Sequence, residues 1–198
     1  MELTGEQLFT VALLYGTSFG ALAVLTALWL LGRLPNWIAA YYVGAFLLCG
    51  FGWEFWWTYG WAGGESIAER RGAAMNAAIP PLANGLGNAL GDAFGIALVG
   101  LGLARIFCGK AAFDSWKWSV AAVLFIWFVG ENILVELTVY QAQVGQGEMV
   151  SWAPLSPFAS WWNPTVQIQG RGIHLQNQLP WVLMTPLLYA LAIACKRQ

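Results

Sequence analysis

The chain has 198 residues, 59% of them hydrophobic and 10% charged, with a mean hydropathy of +0.59. Ordinary soluble domains carry about 25% charged residues, so this composition cannot cover a water-facing surface and specifies an integral membrane protein. Nine Lys plus Arg against ten Asp plus Glu exclude a basic nucleic-acid-binding surface, and one histidine with three scattered cysteines leaves little for metal or cofactor chemistry.

Five apolar stretches follow one another, at about 8–31, 37–61, 84–107, 118–140 and 179–195. Each is long enough to cross about 30 Å of hydrocarbon as a helix, and none alternates in polarity as a barrel strand does. The expected fold is all-α: a polytopic transmembrane helix bundle of about five spans, one domain over 1–198. Glu2 and Glu6 stand ahead of the first stretch where a signal peptide carries basic residues, so that stretch is read as a span.

The connections alternate in charge. Arg33, Arg105, Lys110, Lys117, Lys196 and Arg197 fall on one side; Arg70, Arg71 and Arg171 fall on the other. The positive-inside rule then places the C-terminus in the cytoplasm and the N-terminus outside, in a plasma or inner membrane. Cys49 lies within a span and Cys108 and Cys195 at cytoplasmic ends, so no disulfide is expected. Of the two long outer connections, 62–83 carries ESIAERR and Pro80-Pro81. The other, 142–178, carries SWAPLSPFASWWNP and reads as a lid lying in the outer interface.

Four carboxylates sit where they are costly, inside the spans: Glu54, Asp92, Glu131 and Glu136. A charge at the bilayer centre costs about 2.5–3.5 kcal/mol on insertion scales, so such residues are functional candidates by default. Counted from the expected outer span ends at 1.5 Å per residue, Glu54 is about 10 Å deep, Asp92 about 12 Å and Glu131 about 14 Å. Glu136 is shallower and reads as a solvated interfacial acid. Asn84, Asn88 and Asp92 recur every four residues as one polar stripe, beside the small-residue stripe Gly87, Gly91 and Gly95. On the fourth span Asn132 and Glu136 share a face, and Glu131 points about 100° away. The residues describe a polar pocket between spans two, three and four, with Arg70, Arg71, Arg171 and His174 on its outer side.

Of thirteen tryptophans, eleven fall at the two interfaces, as aromatic belts do. Trp53 and Trp127 remain, level with the acids. Trp53, Trp56, Trp57, Asn84, Asn88, Trp127 and Asn132 are therefore the candidate binding wall around the candidate catalytic acids Glu54, Asp92 and Glu131. A carboxyl group held away from water favours its neutral form and can act as a general acid, and aromatic faces stabilise a developing cation. That pairing suits acid-initiated isomerisation or cyclisation of a lipophilic substrate.

The segment GFGWEFWWTYGW, with Glu54 after Trp53, resembles the Trp-Glu signature of the small integral-membrane terpene cyclases of fungal meroterpenoid biosynthesis. NALGDAFGIALVGLGL, with Asn88 four residues before Asp92, resembles that family's third-helix pattern. The resemblance implies an isoprenoid substrate, Glu54 as the proton donor that opens an epoxide or protonates an alkene, and Asp92 as a pocket acid. That family has seven spans and a second essential acid in a late helix. The fifth stretch here, LPWVLMTPLLYALAIAC, has no acid, so Glu131 or Glu136 would take that part.

Two other readings stay open. Buried acids also serve channels and proton-coupled carriers, whether one chain or a homo-oligomeric pore. Aromatic surfaces and a glycine stripe also suit a non-catalytic subunit holding membrane lipid, pigment or quinone against a membrane partner. P-loop, HExxH and CxxC motifs are absent, and no cofactor is expected.

Overall fold

The protein is described here by a computed structural model covering residues 2–61, 65–144 and 165–198. Five long helices are apolar enough to cross a membrane: α1 (Gly5–Leu30), α2 (Asn36–Tyr59), α5 (Pro81–Cys108), α6 (Trp118–Gln143) and, within α7 (Leu175–Lys196), the span Asn177–Lys196. Two short helices, α3 (Ile67–Arg70) and α4 (Ala73–Ala78), fold into the connection before α5. The architecture is an all-α, multi-pass membrane bundle. Two helices outrun their apolar stretches: α5 begins three residues earlier, at Pro81, a proline in the first helical turn, and α6 ends three residues later, at Gln143, whose side chain accepts from Arg71.

The segment SWAPLSPFASWWNP, read as a lid, lies outside the described residues. What the structure places on that side is an antiparallel hairpin, β1 (Thr165–Ile168) and β2 (Arg171–His174), turning through Gln169 and Gly170, both at positive φ. We call this the hairpin end. Arg171 ties it to the bundle by an ion pair to Glu6, 2.9 Å, and by donating to the Leu137 carbonyl, 2.7 Å. At the opposite, basic end, Lys196 pairs with Asp114 at 2.6 Å. There the Tyr189 hydroxyl accepts from the Lys117 amide and donates to the Ala112 carbonyl. Exposed Asp114 is held below the usual aspartate range by the Lys196 hydrogen bond.

The first four spans each contain a π-helical turn: Gly16–Gly20, Gly50–Glu54, Asp92–Leu98 and Glu136–Tyr140. Such turns insert an extra residue, weaken the regular ladder and cluster at functional sites. In hydrocarbon a loosened carbonyl has no water to turn to, and here side chains supply the donors. Thr17 bonds the Leu13 carbonyl and Ser18 that of Leu14; the Trp56 indole bonds Phe51, the Trp127 indole bonds Ile96, and Thr138 bonds Leu134. Three of the four turns carry an intramembrane acid: Glu54, Asp92 and Glu136.

The apolar core fills the basic half. Tyr41, Ala45, Cys49, Ala97, Leu101, Leu124, Phe128, Leu188 and Ala192 interlock there, all buried. Gly100 makes the crossing of α5 and α6 possible, since a Cβ there would sit 2.6 Å from the Phe128 ring. The polar groups are thus pushed toward the hairpin half, above an apolar floor.

Candidate acid site

Glu54 is 2% exposed and sits at the end of the π-turn of α2. Gly50 and Gly85 let this turn close: a Cβ on either would lie 3.0 Å from the Phe55 ring. Glu54 lines a cavity of about 40 Å3 with Trp53, Trp57, Asn132, Tyr140, Pro180 and Trp181. Its Oε2 is buried with no hydrogen-bond partner among the described residues, and so is the Trp57 indole nitrogen in the same wall. Asn88 and Trp53 face the carboxyl group. Trp53 meets Trp181 edge-on at 4.9 Å, and Trp181 meets Phe128 at 5.9 Å, making an aromatic floor.

A second cavity, about 110 Å3, lies on the other side of Tyr140. Asn88, Asp92 and Glu131 line it, with Thr17 from α1. Asp92 Oδ2, Glu131 Oε2 and Asn88 Nδ2 have no hydrogen-bond partner among the described residues. Asp92 lies within electrostatic range of both Glu54 and Glu131, and Trp53 faces Asp92 as well as Glu54. The three acids expected from sequence therefore form one group, split between two adjoining cavities. Asp92 is eleven residues inside α5 and Glu131 twelve inside α6, or about 16 and 18 Å at 1.5 Å per residue. These distances run from the helix ends and exceed the expected depths, which run from the apolar boundaries, because the helices extend past the apolar stretches.

Glu136 corrects the sequence reading of a solvated acid. It is fully buried and accepts from the His174 amide at 2.8 Å, His174 Nδ1 at 2.7 Å and Asn177 at 2.9 Å on one oxygen, and from Gln178 at 2.9 Å on the other. The shared face of Asn132 and Glu136 is real. Asn132 donates to the Asn177 carbonyl and to Gln178, so both residues clamp the start of α7.

The candidate wall residues divide. Trp53, Trp57 and Asn132 line the first cavity and Asn88 the second. Trp56 is 39% exposed on the outside of α2, bonded to its own helix, and Trp127 packs on α5 through Ile96. Asn84 is fully buried in a different cluster. It donates to Thr58 and accepts from Arg71, whose guanidinium also reaches Asn76, Gln143 and the Ile79 carbonyl. Arg71 is 5% exposed and its partners here are all neutral, and burial pushes its pKa down to about 10.

Two wall residues escaped the sequence reading. Trp181 counts as an interface marker by position, yet it is 2% exposed in the cavity floor. Tyr140 separates the cavities and lies within electrostatic range of Glu54, Asp92, Glu131 and Glu136. Its spacing four residues after Glu136 was the available signal. Among the described residues no group of three or more His, Cys, Asp or Glu side chains could hold a metal ion. Compared with protein-family models, with curated proteins and with solved structures, the chain matches none of them.

Proposed function

We propose that this protein is a membrane enzyme that protonates the end of a lipophilic, isoprenoid-type chain and so starts an isomerisation or cyclisation. The observation that carries the reading is the pairing of Glu54 Oε2, buried and unpartnered, with an aromatic wall of Trp53, Trp57, Tyr140 and Trp181. In this reaction Glu54 gives its proton to a terminal alkene or epoxide, and the aromatic faces stabilise the resulting cation. For an isomerisation, loss of a proton from the cation to the Glu54 carboxylate closes the cycle with no net change in composition. Asp92 and Glu131 line the adjoining cavity. Cavities of about 40 and 110 Å3 suit the reacting end of a chain rather than a whole polycycle. The substrate is a lipophilic small molecule dissolved in the membrane.

The basic end is read as cytoplasmic from Arg33, Arg105, Lys110, Lys117, Lys196 and Arg197, which places the acids in the outer half of a plasma or inner membrane. To test the activity, the protein is reconstituted in nanodiscs in deuterated water with linear isoprenoids, geranyl to geranylgeranyl, and their terminal epoxides. One deuteron carried into product, lost in Glu54→Gln, is the expected result. No conversion of any probe, with the protein folded, overturns it.

A second reading rests on Tyr140, which lines both cavities and lies within electrostatic range of all four acids: a proton relay from the hairpin surface. It predicts proton flux in liposomes. The apolar core beneath the acids, which leaves them in a blind recess, favours the enzyme.

A further inference from the structure

α1 and α6 pack together near the hairpin end, where Gly5–Tyr15 meets Glu136–Val144. Beside that contact, toward the middle of the bundle, both helices line the second cavity, which forms a gap between them. Its walls come from α1 at Thr17, from α5 at Asp92 and Gly95, and from α6 at Glu131 and Val135. All five of these residues are partly exposed, although Asp92 and Glu131 stand about 16–18 Å from the hairpin end of their helices. At that depth the surrounding medium is hydrocarbon, so whatever reaches them from the flank comes from the bilayer. The gap mixes two chemistries: apolar Val135, and inside it the unpartnered oxygens of Asp92 and Glu131. Gly95 forms the sill. A Cβ there meets no atom within 4 Å, so the space in front of it is open, while at Gly91, one turn earlier, a Cβ touches Thr17 Oγ1 at 3.5 Å.

We propose that this gap is a lateral port. The end of a membrane-dissolved hydrocarbon chain enters between α1 and α6 over Gly95 and reaches Asp92 and Glu131 without passing through water. Tyr140 separates this port from Glu54, so the chain end presented to the acids is set by what clears Gly95 and Tyr140. The port deepens the enzyme reading and rests on it for the identity of the chain, but binding in the gap is measurable without turnover.

The test uses the whole protein in nanodiscs and a photoreactive farnesyl probe carrying a diazirine near its terminal alkene, with adducts mapped by peptide mass spectrometry. Adducts are expected at Thr17 and Val135. In Gly95→Phe, whose ring fills the gap, they fall about tenfold, equivalent to about 1.4 kcal/mol. They persist in Gly102→Phe, which fills open space lower on the same helix. Gly95→Ala, whose methyl group has room, guards against misfolding and gives a smaller fall. Equal labelling of both phenylalanine variants, or adducts confined to outward residues such as Val24 and Ile126, overturns the port. Labelling that follows Gly95 in a protein with no turnover supports the port and overturns the chemistry instead.

Discussion

Glu54 and Glu136 are both fully sequestered carboxylates in π-helical turns of the same half of the bundle, and they have opposite surroundings. Glu136 receives four hydrogen bonds from the hairpin and the start of α7. Glu54 keeps a buried oxygen with no partner among the described residues, turned to a cavity with aromatic walls. The bonds to Glu136 tie the hairpin and the start of α7 to α6. An unsaturated acid, in a place where desolvation makes every missing bond costly, is kept for something else. Burial is common to both acids; the unused hydrogen-bonding capacity is what sets Glu54 apart.

The sharpest way to break this contrast is to neutralise each acid with little change of shape. Glu54→Gln is expected to lower isoprenoid conversion by about 10²–10⁴-fold, the usual contribution of a general acid, while thermal unfolding stays near that of the parent. If conversion survives, Glu54 is not the donor. Glu136→Leu is expected to destabilise the protein by about 3–5 kcal/mol, because it strands the donors of His174, Asn177 and Gln178 in the interior; a melting temperature close to the parent's would show that the contrast is false. Next in size is Arg71→Met, which leaves the oxygens of Asn76, Asn84, Gln143 and Ile79 short of a donor and should cost about 2–3 kcal/mol, read by denaturation in detergent. This variant sharpens the contrast by asking whether Asn84, expected at the substrate, acts only in the Arg71 clamp.

The smallest effect belongs to the basic end. Lys196 holds the Asp114 carboxyl below its usual range, so the folded state binds that proton less readily than the unfolded chain. Its stabilisation is present above about pH 4, the unfolded value, and fades as the pH falls further. Hydrogen exchange of the last turn of α7 should rise across that window and stay flat in Asp114→Asn. An exchange profile indifferent to this substitution would remove the tie.

The sequence by itself determined the membrane class, the five spans and the presence of costly acids, because hydrocarbon imposes length and polarity residue by residue. It also placed Asn132 and Glu136 on one face with Glu131 on another, since that follows from helix geometry within one element. The outcome for each acid was not legible. Glu136 reads as interfacial from its distance to the span end, and only the hairpin folding back onto α6 seals it. The four π-turns leave no periodic trace that glycines do not also leave, and they shift the face that follows. Trp181 looks like a belt residue until Trp53 and Phe128 are brought against it from other spans. Asn84 looks like a continuation of the Asp92 stripe until Arg71, thirteen residues earlier, reaches it. Local chemistry sets what a residue can do; which of those capacities remains unspent depends on partners that only the tertiary fold supplies.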